Sequence, residues 1–367
     1  MIKKRTEKKW IMTKISKKIS SLMLLCGLVG MTSSSFAMEQ LTDDQMSNVQ
    51  GQALLNLNVT NPGGSNPNSN IGFYRLGMEA SIELNANVKK LQLGCGGVKG
   101  TGCDIDIDNV ALTGITTSNS QGAGTTSDFV LNNPFIEFAI ENPTSAASRN
   151  IVGFRLGALS ALGMMSLGSN SNTSTLSDDT GINSLSGDIG VTVSNATIKD
   201  INLTLFGAKL LTADAKVENY STTLVANRST SFSLTGLKAT AQINAPLLNL
   251  INLNLTANMN DIPYSTVHRL QVSDANGNPT SGAYLSLQSK DITWQNIATN
   301  QWSGSAKQGW WLSIPQTQFK DLNMDGSAVS LSLGSAIGGI LGATVNIPAM
   351  DLGQVPVNNC YGSLKFC

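Results

Sequence analysis

After Ala37 the chain alternates apolar and polar side chains residue by residue, and no other feature constrains its fold as tightly. A period of two is what a half-buried β-strand needs, whereas a helix repeats every 3.6 residues. Ser81-Ile82-Glu83-Leu84-Asn85-Ala86-Asn87-Val88 shows the pattern, as do Asp104-Ile105-Asp106-Ile107-Asp108-Asn109-Val110 and Ile201-Asn202-Leu203-Thr204-Leu205. Leu253-Asn254-Leu255-Thr256 and Tyr284-Leu285-Ser286-Leu287-Gln288 repeat it. Each run has one dry and one wet face, which predicts an all-β chain of elongated antiparallel sheets, built as a sandwich or as a solenoid-like stack. The loose likeness of residues 200–217 to residues 249–262 suits stacked β-layers, although alternation by itself creates such likeness.

Turn chemistry separates the runs. Asp274-Ala275-Asn276-Gly277-Asn278-Pro279 supplies residues that tolerate positive φ and predicts a hairpin. Residues 61–70, 116–127 and 168–188 read as loops with apolar residues too sparse to pack, and 168–188 is long enough to be a domain seam. One helical segment is expected, Leu41 to Val49, where Thr42 and Gln45 form a capping box and Gly51 ends the turn. The resulting domain plan is a leader over 1–37, an N-terminal motif over 38–55 and a β-rich domain over 56–367.

The leader has the three parts of an export signal. Lys14, Lys17 and Lys18 precede an apolar run from Ile19 to Met31, and Ser35-Phe36-Ala37 forms a small-x-small cleavage site. The apolar run falls short of the ~20 residues that span a bilayer, so no transmembrane helix is expected after cleavage. Met12 is an alternative start, and a lipoprotein signal is disfavoured because Leu25 precedes Cys26 where a small residue is required. Residues 1–37 hold eight of the 24 Lys and Arg and one of the 24 Asp and Glu, which leaves 16 basic and 23 acidic residues, a net charge of −7. A mildly acidic surface repels phosphate backbones, so nucleic acid is not an expected partner. Beyond the leader, Cys95, Cys103, Cys360 and Cys367 allow three connectivities; 95–103 and 360–367 close the shortest loops and suit an oxidising compartment.

The chemistry-bearing patterns are sparse. His268, the only histidine, lies in a strand-like run with no Gly-x-Ser-x-Gly elbow in the chain to provide a nucleophile. Asp179-Thr180-Gly181 matches an aspartic-protease triplet but has no second copy. Asp104, Asp106 and Asp108 have the spacing of a calcium loop, yet Asn109 and Ile115 stand where Gly and Glu are needed, which leaves a solvated acidic stripe. The glycines of Gly94 to Gly100 suit a disulfide-closed hairpin tip better than a phosphate cradle. No catalytic set, metal or cofactor follows from these patterns, and the chain does not read as an enzyme.

Trp294, Trp302, Trp310 and Trp311 fall within 18 residues; they are either glycan-stacking aromatics or buried strand anchors, with Trp310 and Trp311 facing opposite sides of a strand. No residue from Gly326 to Ala349 is charged, and the stretch reads as a buried hairpin rather than a membrane span.

Residues 41–53 (LTDDQMSNVQGQA), 104–114 (DIDIDNVALTG), 128–143 (DFVLNNPFIEFAIENP), 150–168 (NIVGFRLGALSALGMMSLG) and 309–315 (GWWLSIP) together resemble a group of exported proteobacterial proteins associated with pilus assembly, the Fil proteins. The resemblance implies a place in or beside a surface filament, in the periplasm, at the outer membrane surface or outside the cell, and no catalytic residues carry over from it. The leading expectation is therefore a structural or assembly component whose sheets bind other filament subunits or further copies of itself. The alternative is a periplasmic or surface module that holds a glycan, through the tryptophans, or a lipid, through the apolar segment at 328–348.

Overall fold

The computed structural model describes residues 55–115, 128–168, 181–230, 232–243, 253–259, 262–263, 267–320, 322–332, 345–347 and 354. The leader, the helical segment at 41–49, the loop 116–127, Asp179, Thr180, Cys360 and Cys367 lie outside those residues. Within them every regular element is a strand. In chain order these are β1 (Leu55–Thr60), β2 (Ile71–Met78), β3 (Ser81–Leu84), β4 (Ala86–Leu93), β5 (Ile105–Thr113), β6 (Phe129–Glu141), β7 (Asn150–Leu167) and β8 (Ile182–Val193). They continue with β9 (Thr197–Leu205), β10 (Ala208–Val217), β11 (Tyr220–Ser229), β12 (Ser233–Leu234), β13 (Leu237–Ile243), β14 (Leu253–Met259), β15 (Ile262–Pro263) and β16 (Val267–Val272). The last are β17 (Thr280–Ser281), β18 (Tyr284–Gln288), β19 (Ile292–Asn296), β20 (Gln301–Ala306), β21 (Gly309–Phe319), β22 (Asn323–Asp325), β23 (Ser330–Ser332) and β24 (Val345–Ile347).

The chain is all-β, as the alternation predicts. A 13-stranded sheet runs β1-β2-β6-β7-β16-β21-β8-β5-β4, and a 7-stranded sheet runs β22-β9-β10-β13-β14-β24. Most pairs are antiparallel, but β21 with β8, β22 and β23 with β9, and β24 with β14 are parallel. The large sheet also closes on itself. β5 pairs with β8 at Asp106 and with β7 at Ala111, so β7, β16, β21, β8 and β5 form a ring of hydrogen-bonded neighbours. Ile107, Leu167, Ile189, Val191, Leu270 and Phe319 from those five strands belong to the larger of two cores. Closing the ring removes the edges these strands would otherwise present.

Three local expectations are corrected. The Asp274–Pro279 turn does not join a hairpin, because β16, β17 and β18 all pair with successive stretches of β7 and act as one long strand from which 273–279 loops out. The Asp274 carboxylate accepts from the amides of Asn276 and Asn278 and shapes that excursion. Residues 182–188 are not loop but the first half of β8, with Leu185 buried in the core and β7 and β8 in the same sheet. Ser, Gly and Asp there disguise a strand whose small residues allow close approach: a Cβ on Gly190 would run into the Pro315 carbonyl oxygen of the parallel neighbour. Finally, the strands of 326–349 are not partners of one another, since β23 lies on β9 and β24 on β14.

Candidate functional site

Strands β1, β2, β6 and β7 lie side by side in antiparallel register. Residues directly opposite each other in such pairs point to the same side of the sheet, so register alone defines rows across it. One row reads Leu57, Leu76, Ile136, Leu156, Leu285, Leu312, and the next Val59, Tyr74, Phe138, Phe154, Leu287, Trp310. Leu55 opposite Met78 flanks the first row, and Ile140 opposite Ile151 flanks the second. Every one of these side chains is apolar or aromatic.

At β18 and β21 the rows are half-buried, where Leu285, Leu312 and Trp310 pack against the larger core. From β7 outward the described residues leave them open: relative exposure is 43% at Leu156, 42% at Ile136, 45% at Leu76 and 71% at Leu57. Val59, Met78, Phe138 and Ile151 are exposed as well. Isolated surface leucines are ordinary, but a contiguous patch across four strands marks an interaction surface.

The other face of the same strands carries the charge. Its central row is Asn58, Arg75, Glu137, Arg155, Ser286, Trp311. Arg155 donates to Glu137 Oε2 at 2.6 Å and to the Gln295 carbonyl at 2.8 Å, and both members of the ion pair are buried. Its guanidinium lies 4.9 Å, 5.1 Å and 5.2 Å from the ring centres of Trp294, Tyr284 and Phe135. Burial lowers the Arg75 pKa from its ordinary value, with the neighbouring Glu137 working against the shift. The β19–β20 hairpin covers this face and sets Trp294 against Phe73 at 5.3 Å, while Trp302 meets the same ring at 5.7 Å. The covered face is thus a second core, of Ile71, Phe73, Ala139, Val152, Tyr284 and Trp311 with one buried ion pair inside it, and hydrocarbon lines the open face as well.

Deeper under the hairpin, Asp188 accepts from Trp311 Nε1 at 2.5 Å and from Ser313 Oγ at 2.9 Å. Burial nonetheless raises the Asp188 carboxyl above the usual range. Burial, and then the Asp188 charge, push the Tyr284 phenol well above its own. In this layer Arg155, Trp311 and Ser313 each donate to a protein acceptor.

The sequence candidates are placed as follows. Trp294 and Trp311 are buried at 0% and 2% exposure, so as glycan contacts they are corrected to core anchors, while Trp302 and Trp310 are half-buried. Trp310 and Trp311 do face opposite sides of β21, one toward each core. Cys95 and Cys103 form a disulfide that closes the β4–β5 loop. Arg228 clamps that loop by donating to the carbonyls of Gly94, Lys99, Gly100 and Thr101.

Asp104 is not part of an acidic stripe. It is buried and accepts from Arg228 Nε and the Trp310 amide, with Lys99 3.3 Å away. Asp106 and Asp108 share Lys90 at 2.8 Å and 2.9 Å, so a lysine ammonium occupies the position between them. His268 lies on β16 next to Arg269, and Gly181 directly precedes β8. Among the described residues no cluster of three or more His, Cys, Asp or Glu side chains is arranged to hold a metal.

The apolar rows themselves were not singled out from sequence. Phe135 to Glu141 announces a strand, but alternation cannot say which face the rest of the chain covers. No family model, curated protein or solved structure matches the chain.

Proposed function

We propose that this chain is an exported structural or assembly component of a surface filament, acting through contacts made by its β-sheet. The observation that carries the reading is the border of the large sheet. Strand β1 ends the strand path, no described strand pairs with its outer edge, and its sequence Leu-Asn-Leu-Asn-Val-Thr contains neither charge nor proline. Natural sheets guard free edges with lysine, proline or bulges because unpaired backbone groups recruit further strands. The opposite end of the path follows that rule, with Lys89 and Lys90 in β4. An unguarded edge beside an open apolar face suits a protein that receives another strand or sheet. Deleting the gene is expected to reduce surface filaments seen by electron microscopy, and antibody against residues 56–367 is expected to label the cell exterior. Unchanged filaments, or label confined to the cytosol, would reject the reading.

A second reading, a lipid-holding module, is favoured by the tip of the β9–β10 hairpin. Phe206 there is fully exposed between the exposed Leu205 and Leu210, with Lys209 adjacent. Flotation with anionic vesicles that is lost on Phe206→Asn would support it, and absence of flotation would remove it. Among the described residues no helix is long and apolar enough to cross a membrane, which leaves strands unaddressed.

A further inference from the structure

We infer that the open face of β1, β2, β6 and β7 is the packing surface for a second copy of this chain, laid face to face across a two-fold axis. The inference rests on the assembly reading and names the partner of its apolar surface.

Charge narrows the choice of occupant first. Neither row contains an ionisable carboxylate or cation, and Arg75, Glu137 and Arg155 all project to the opposite side. A charged partner would lose hydration and find no counter-charge, so the occupant is itself an apolar surface. The face of another copy meets that requirement without any further specification.

Area is the second argument. Twelve row and flank positions, on strands ~4.8 Å apart with rows ~7 Å apart, give roughly 400 Å² of apolar surface in plan. Two copies would cover roughly 800 Å² in plan, and more as accessible surface because the side chains stand up from the sheet, close to the ~1,000 Å² that a specific protein interface needs. Two sheets packed face to face interdigitate at about 10 Å separation, and here the Leu and Ile row stands beside the Tyr and Phe row, so large and small side chains alternate. An isologous contact places each row against its own symmetry mate or its neighbour.

One rival occupant fits less well. A bilayer would cover the face, yet it would also surround the edge of β1 that no described strand pairs, and the backbone N–H and C=O groups there would lose their water.

The test is the molar mass of the full chain, purified from exporting cells, measured by sedimentation over a thousandfold concentration range. A concentration-dependent dimer is expected. Ile136→Lys, at the centre of the face, is expected to weaken it at least tenfold, and Leu76→Lys to do the same. Val225→Lys, on the exposed apolar position of β11, is expected to leave it unchanged. Unaltered far-UV circular dichroism confirms that each variant folds.

A monomer at every concentration overturns the inference, as does a dimer insensitive to both lysines. So does a monomer that dimerises only after residues 38–54 are removed, or one that floats with vesicles through Ile136. A monomer that still enters filaments sinks the dimer and spares the assembly reading. A face-dependent dimer in cells whose filaments survive gene deletion does the reverse.

Discussion

A phenylalanine at a tight turn shows how single residues depart from the general pattern. Phe206 and Gly207 are the two loop residues between β9 and β10, with φ of 50° and 84°. Such a two-residue loop needs positive φ at both positions, which glycine adopts freely and a bulky L-residue only at a cost of about 1–2 kcal/mol. The strain is retained beside a fully exposed ring, so it serves no packing within the described residues. Phe206→Asn is expected to raise unfolding stability by about 1 kcal/mol in urea titration, since asparagine followed by glycine is the favoured pair for this turn. A loss of stability would mean that the ring is held by contacts of its own.

Asp188 gives the residue scale its pH dependence. Its folded pKa is raised by burial, so the unfolded chain gives up its proton at lower pH than the folded one. The contribution to stability is therefore complete below the ordinary carboxylate range and is lost as pH rises through the raised value. Asp188→Asn should remove that dependence, so the stability of the variant relative to the natural chain should improve as pH rises above the ordinary carboxylate range. A difference independent of pH would show that Asp188 titrates alike in both states.

Among elements, the β6–β7 pair binds the account together. Glu137 and Arg155 sit opposite each other in register and are buried beneath the β19–β20 hairpin. Removing Arg155 alone strands a buried carboxylate and is expected to cost about 3–5 kcal/mol, whereas joint replacement by Leu at 137 and Met at 155 should restore most of it. A double-mutant cycle in denaturant measures both. If the single and double variants are equally unstable, the pair contributes packing rather than charge matching.

The same elements mark what the sequence could and could not reveal. Alternation located β5, β9, β14 and β18, and close cysteine spacing located the disulfide loop; the single run 81–88 breaks at Asn85 into β3, which pairs with β6, and the start of β4, which pairs with β5. Alternation did not locate β8, whose Ser, Gly and Asp residues pack against parallel β21 rather than alternating in hydrophobicity. Nor did it show that Asp274–Pro279 is an excursion, because a turn motif reports local φ and not the strand that both flanks choose. The orientation of β6 was hidden for a related reason. In Phe-Ile-Glu-Phe-Ala-Ile-Glu the glutamates predict a wet side, yet Glu137 is buried with its partner beside Phe135 and Ala139, and Ile136 and Phe138 are left outside.

At the scale of the molecule, the ring closed by β5 consumes strand edges while β1 remains unguarded. One border of the sheet is thus finished, and the other is left with an apolar face and an edge that no described strand pairs, the arrangement expected of a component completed by assembly. Hydrogen–deuterium exchange tests this most directly, by comparing β1 and β2 in the isolated chain at dilution with the same strands in material taken from the cell surface. The account predicts rapid exchange along Leu55–Thr60 at dilution and strong protection there in the assembled material, while β7 and β21 exchange slowly in both. Equal exchange of β1 in the two states would contradict it.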